Sequence, residues 1–253
     1  MKSLRDYTSA RVDIGRTGHS VPTRELLDFQ LAHAKARDAV HLPLDVNSLV
    51  VELKEKQIPC IALASAAPDR TTYLHRPDLG RRLNAESRDR LAPLKSEYDA
   101  AFVIADGLSA LAVHRHAVPL LEAILPRLDW RIAPIAIVEQ GRVAIGDEIG
   151  QLLGAKLAVV LIGERPGLGS PDSLGVYLTW QPHPGRTDAE RNCISNIRAE
   201  GLSYTLAAHK LLFLMNESRR LKLSGVKLKE NSTEPRLERN ATTKRMSGQT
   251  RLE

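Results

Sequence analysis

Aromatic side chains are scarce, at 4% of the 253 residues. A core must therefore be assembled from Leu, Ile, Val and Ala, and a hydrophobic content of 43% supplies enough of them. Cysteine is rarer still. Two residues, Cys60 and Cys193, are too few for a secreted disulfide scaffold and point to a reducing, cytoplasmic setting. The opening MKSLRDYTSARVDIG lacks the apolar core of a signal peptide. No stretch nears the roughly 20 apolar residues of a membrane span, so no membrane partner is expected. A dense Lys/Arg run interleaved with aromatics is also missing, which argues against a nucleic-acid partner. The net charge of +6, from 36 basic and 30 acidic residues, leaves room for a phosphate group or an acidic protein.

Several catalytic signatures are missing as well. No G-x-G-x-x-G follows an apolar run, and neither G-x-x-x-x-G-K-[ST] nor H-E-x-x-H occurs. Nicotinamide, ATP and zinc-protease chemistry thereby lose their main support.

What is present is an α/β rhythm. TRELLDFQLAHAKARDAV (23–40) and DVNSLVVELKEKQ (45–57) carry apolar residues at helical spacing, with Thr23 and Asp45 as expected caps. CIALA (60–64) reads as a short strand, and RPDLGRRLNAESRDRL (76–91) as one helix entered through Pro77. AFVIA (101–105), IAPIAIV (132–138) and LAVVLIG (157–163) are continuous apolar runs, as suits strands buried on both faces of a parallel sheet. Helical segments at 109–128, with a kink expected at Pro119, and at 147–155 separate them in βαβαβ order. VYLTW (176–180) and CISNI (193–197) read as further strands. The last helix, 203–223, is capped by Ser203 and followed by Gly225.

The expectation is a Rossmann-like parallel sheet with flanking helices. A small helical N-terminal domain (1–58) precedes the α/β domain (59–228), and a polar, aperiodic tail (229–253) reads as disordered.

Three apolar runs end in small-residue turns: Asp106-Gly107-Leu108-Ser109, Glu139 to Val143, and Gly163 to Ser170. Ligands of open parallel sheets bind outside the strands' carboxyl ends, where glycine lets them approach the backbone. From spacing alone, a cofactor crevice and an ordinary set of βα connections read equally well. Other candidates are weaker. His114 and His116 are two residues apart and point to different helix faces, so surface or packing roles suit them better than metal ligation. Asp147 and Glu148 read as favourable charge at a helix N-terminus. Cys193 has only Arg191 as a nearby cation, and reads as a small buried hydrophobe rather than an activated thiol.

Seven blocks carry a family resemblance: SLRDYTSARV (3–12), RTGHSVPTRELLDFQLAHAKARDAV (16–40), YLHRPDLGRRL (73–83), IADGLSA (104–110), VEQGRVAIGDEIGQLLGAK (138–156), LIGERPGLGSPDSLGVYLTW (161–180) and ERNCISNIR (190–198). Through roughly residues 1–228 the chain resembles the small subunit of ethanolamine ammonia-lyase. The resemblance implies a lyase that deaminates ethanolamine, and similar vicinal amino alcohols, to acetaldehyde and ammonia with adenosylcobalamin, a cobalt corrinoid. It implies a hetero-oligomer in which a large subunit is the partner that holds the substrate, with the corrin between the chains. It also implies a cytoplasmic location that includes a bacterial microcompartment as an option. The family's cobalamin-binding positions fall here on Val143, Glu164 and Cys193, and no catalytic residue is carried over. By charge alone the cations Arg76, Arg81 and Arg82 suit a solvated face; with the matched RPDLGRRL block, the expectation is that they face a partner subunit. The alternative is a free-standing α/β enzyme that binds another nucleotide or cofactor at the same crevice. A non-catalytic interaction module is the third reading.

Overall fold

A computed structural model describes residues 11–232 together with Leu4, Tyr7 and Thr8. Two helices open it, α1 (Thr23–His41) and α2 (Val46–Glu55). There follow β1 (Cys60–Ala64), α3 (Arg70–His75), α4 (Ala85–Leu91), β2 (Tyr98–Ala105), α5 (Ala110–Ile124), β3 (Ile135–Glu139), α6 (Ile145–Leu153) and β4 (Ala155–Gly163). The chain closes with β5 (Leu174–Trp180), β6 (Arg191–Ile197) and α7 (Tyr204–Leu221).

The six strands form one mixed sheet in the order β1-β3-β2-β4-β5-β6. The first four run parallel, and β5 and β6 run antiparallel to their neighbours. The parallel expectation is therefore corrected at this edge. A parallel connection needs a crossover of about a dozen or more residues, and residues 164–173 are too few to carry a helix. The chain turns back instead, pairing Gly163 with Leu174 and Leu157 with Trp180.

Both sheet faces are covered, because side chains alternate along each strand. In β2, Ala100, Phe102 and Ile104 join the core under α2, α5 and α7, while Ala101, Val103 and Ala105 join the core under α4 and α6. In β4, Leu157, Val159 and Leu161 face the first core, and Val160 and Ile162 the second. Burying each large apolar side chain contributes roughly 1.5–3 kcal/mol, so these strands have no polar face to lose. The scarcity of aromatics is visible here: among the described residues, Tyr73 and Phe102 are the aromatic members of the largest fully buried side chains.

The helices are held largely as the sequence dictates. Asp45 accepts from Ser48 N at 3.0 Å and Ser203 from Leu206 N at 3.4 Å. Thr23 is instead the first residue of α1, whose cap position is Pro22 with no side-chain cap bond. Residues 76–91 are not one helix. After α3 a single 3-10 turn spans Leu79–Arg81, and Asn84 then caps α4 by accepting from Ser87 N at 2.8 Å. That asparagine offers the chain a fresh start, which breaks the continuity the Arg-rich pattern suggested. Pro119 lies inside α5. In α6, Gly146 and Gly150 bring the helix close to the interior strand β4; a Cβ on Gly146 would sit 2.3 Å from Val160 Cγ2.

In the segment 1–58, Leu49 and Leu53 of α2 are fully buried in the same core as Phe102, whereas Leu26, Leu27, Phe29 and Leu31 of α1 are exposed. At the other end, Lys210 Nζ donates to Glu230 Oε2 at 2.5 Å. The rest of the expected tail, 233–253, lies outside the described residues. Among the described residues no helix is long and apolar enough to cross a membrane.

Candidate functional site at the strand ends

The carboxyl ends of β2, β3 and β4 open on one side of the sheet, and an open cleft of about 440 Å³ lies there. Its wall takes Gly107 and Leu108 from the turn after β2, Arg142 and Val143 from the turn after β3, and Gly163, Glu164 and Arg165 from the turn after β4. Ile162, Tyr73 and Tyr177 complete it. All three turns singled out in the sequence thus meet in one place, and Val143 and Glu164 face the same space. Cys193 is not part of the wall, but it pairs across the sheet with Tyr177, which is.

Asp106 holds two of these turns together. Its carboxylate is buried and accepts from Gly141 N at 2.9 Å and from Gln140 N at 3.1 Å. Arg70 Nη1 donates to it at 3.0 Å, while Arg70 Nε donates to Val40 O at 2.7 Å at the end of α1. Burial pushes the Asp106 carboxyl up to about 6, against the pull of Arg70 and the backbone amides. Gly107 follows with φ +55°, and a Cβ there would lie 2.3 Å from Gly163 O, so β2 and β4 can end side by side only with glycine at this point.

Tyr73 is the second organiser. It is fully buried, and its hydroxyl donates to Gly141 O at 3.0 Å. The Arg142 guanidinium carbon lies 4.1 Å from its ring centroid and that of Arg70 4.8 Å. Burial raises the phenol's pKa well above its ordinary value, so it remains a hydrogen-bond donor at neutral pH.

Glu164 is engaged within the chain. Ser173 Oγ donates to its Oε2 and Ser195 Oγ to its Oε1, each at 2.5 Å, and Asn196 N donates to Oε2 at 3.1 Å. The carboxylate therefore ties the β4–β5 loop to β6. With about four lone-pair directions on the group and three used, it retains capacity to accept from a ligand. Cys193 is exposed on the edge strand β6, which corrects its reading as a buried hydrophobe. Its thiol is crowded enough that desolvation holds its pKa above the ordinary value, with Tyr177 pulling the other way. An activated thiolate is not what this setting makes.

A larger open cleft of about 850 Å³ adjoins the first, sharing Arg142 and Val143. Arg81, Arg82 and Arg186 line it. Arg76 pairs with Asp78 at 2.8 Å and lies outside its wall. In its wall Asp147 is buried against Arg191, and Glu148 pairs with Arg88 at 2.5 Å, so both acids do more than favour a helix terminus. His114 accepts from Asp45 N at 3.0 Å, and the His116 ring lies 2.7 Å from Tyr204 Oη, which gives both histidines packing roles.

Asp106, Arg142, Tyr73 and Tyr177 all stand within segments legible in the sequence, yet no local pattern there marks their roles. Only contacts between distant segments reveal them.

Among the described residues no histidine lines the smaller cleft, and no catalytic acid–base or nucleophile constellation gathers in it. What it offers is a partly apolar floor with a few placed polar groups, an arrangement that binds and orients.

Comparison with known proteins gives this geometry a family. A family model described as "Ethanolamine ammonia-lyase light chain (EutC)" matches residues 1–229. A protein of Pseudomonas fluorescens (strain Pf0-1) named "Ethanolamine ammonia-lyase small subunit" is 57% identical over 247 residues, 95% of this chain and 90% of that protein. Its namesake in Azotobacter vinelandii is 57% identical over 94% of this chain and 90% of its own length. The Pseudomonas aeruginosa (strain UCBPP-PA14) protein of that name is 56% identical over the same shares. The chain belongs to the ethanolamine ammonia-lyase light-chain family.

Proposed function

We propose that this chain is the small subunit of an adenosylcobalamin-dependent ethanolamine ammonia-lyase and that it holds the cobalamin at an interface with a large catalytic subunit. The observation that carries the reading is the convergence of three strand-end turns on one cleft, with Val143 and Glu164 in its wall and Cys193 one strand pair away.

The residues present suit a corrin. A corrin is a broad, nearly flat ring edged with amides, and it needs apolar contact on its face and acceptors at its rim. Val143, Leu108 and Ile162 supply the first. The free acceptor capacity of Glu164 supplies the second. Cys193, exposed beside Tyr177, extends this rim. When bound, the cofactor supplies the radical chemistry that turns ethanolamine into acetaldehyde and ammonia. This chain's residues bind, orient and cover it. Substrate groups belong to the large subunit, and the chain alone is inactive. Arg81 and Arg82, exposed beside the cleft, face that subunit. On this reading the four parallel strands act as a Rossmann-like unit, with α1 and α2 preceding it as the helical N-terminal part. The complex works in the cytoplasm or within a bacterial microcompartment. A free-standing nucleotide enzyme would need a phosphate loop after β2, β3 or β4, and none of these turns has one.

A spectroscopic titration of the reconstituted complex with adenosylcobalamin tests the reading. Val143→Asp places a charge on the apolar floor and should weaken binding about tenfold or more. The melting temperature without cofactor should stay near wild type, since Val143 is only half-buried. Undiminished affinity in the variant would overturn the placement of the corrin.

A further inference from the structure

We infer that Arg142 is the anion-reading element of this site and that its guanidinium takes the phosphodiester of cobalamin's nucleotide loop. The inference rests on the cobalamin reading above. Arg142 stands where the two clefts join, since it and Val143 line both.

The guanidinium is held in place without an anion. Arg142 N donates to Gly80 O at 2.8 Å and Nη2 donates to Tyr73 O at 3.3 Å. The Tyr73 ring supports it from 4.1 Å. Gly80 seals this arrangement, because a Cβ there would meet a Tyr73 ring carbon at 2.8 Å and Arg142 Cγ at 2.9 Å. Ordering an arginine ordinarily relies on a carboxylate, and among the described residues none lies within ion-pair distance of Arg142. The four acids of the larger cleft pair with other arginines: Asp147 with Arg191 at 2.6 Å, Glu148 with Arg88 at 2.5 Å, Asp78 with Arg76 at 2.8 Å, and the exposed Asp188 with Arg191 at 3.5 Å. Arg81, on the same wall, also has no carboxylate partner among the described residues and adds to the positive field. A fixed, half-buried, unneutralised fork is suited to a group that presents two oxygens and a full negative charge. The corrin's side-chain amides are neutral, so the phosphodiester is the part of the cofactor that answers this description. With Val143 under the corrin in the smaller cleft, Arg142 directs the nucleotide loop toward the larger one.

The test uses the complex with the large subunit and two probes, adenosylcobalamin and adenosylcobinamide, which lacks the nucleotide loop and its phosphodiester. Dissociation constants are read from the corrinoid spectrum. Arg142→Gln should weaken adenosylcobalamin about tenfold or more and leave adenosylcobinamide within about twofold of wild type. Arg142→Lys, which keeps the charge and loses the fork, should give a smaller loss confined to adenosylcobalamin. Equal weakening of both probes, or of neither, would overturn the assignment. So would a variant that fails to assemble on a sizing column without corrinoid, since Arg142 would then serve the partner protein. If the wild-type complex binds neither probe, the cobalamin reading itself fails, an outcome distinct from failure of Arg142 alone.

Discussion

Arg191 grips Asp147 with both terminal nitrogens, each at 2.6 Å from a carboxylate oxygen, at a place where each side chain is 2% exposed. Arg191 opens β6 and Asp147 sits in the first turn of α6, so the pair joins the strand that carries Cys193 to the helix that follows Val143. Thr179 Oγ1 and Arg186 O accept further hydrogen bonds from the same guanidinium. Burial works to lower the arginine's pKa, but the hydrogen bonds and charge of Asp147 more than offset it; burial also pushes the Asp147 carboxyl up, with Arg191 pulling it down.

Removing one partner leaves a buried charge alone. Arg191→Leu should therefore cost about 3–5 kcal/mol in urea unfolding. Replacing both, as Arg191→Leu with Asp147→Leu, should recover more than half of that. A single variant as stable as wild type would show that the pair is not buried in solution.

Asp106 gives a prediction in pH. Its folded pKa of about 6 lies above its ordinary 3.8, so between those values the native state holds the proton more tightly than the unfolded chain. The stability this group contributes is present below about pH 4 and is lost as pH rises through about 6. Asp106→Asn removes the titration. The melting temperature of wild type minus that of the variant should decrease between pH 4 and 6.5. An increase across this window would mean that Arg70 and the amides outweigh burial.

Glu164 ties the β4–β5 loop to β6 and, under the proposed function, also serves the corrin; one variant separates the two roles. Glu164→Gln keeps one acceptor oxygen for Ser173, Ser195 and Asn196 and loses the charge. Apo stability should fall by about 1 kcal/mol, as for weakened hydrogen bonds to a half-buried charged group. The adenosylcobalamin dissociation constant of the complex should rise about tenfold. A lowered melt with unchanged affinity would leave Glu164 with the structural duty alone.

Gly107→Ala should cost about 2 kcal/mol or more, from φ +55° and from a Cβ 2.3 Å from Gly163 O and 2.4 Å from Ile162 Cγ1. Chemical denaturation of the chain reads this directly. A neutral substitution would show that β2 and β4 end farther apart than described.

The parts of this fold that were legible are those encoded locally. Continuous apolar runs betray β2, β3 and β4 because both their faces are buried. The reversal at β5 was encoded in the shortness of residues 164–173, not in the strand pattern itself. The split of residues 76–91 hung on one cap, Asn84, set against a persuasive Arg-rich periodicity. At the site, the turns that carry Val143 and Glu164 are legible from their place at strand ends, whereas the choice of these two residues, like that of Cys193, rests on resemblance. Asp106, Tyr73 and Arg142 gained their roles from contacts across long separations, such as Asp106 to Gly141 over 35 residues and Tyr73 to Gly141 over 68. No local pattern carries that information.

The central claim is that this chain completes a lyase by supplying part of a shared cofactor site. The most direct measurement is ethanolamine-dependent acetaldehyde formation with adenosylcobalamin, assayed for the chain alone, for a large subunit alone and for the two mixed. The account predicts turnover only in the mixture, lost when this chain is omitted. Robust turnover by the chain alone, or by the large subunit without it, would contradict the account.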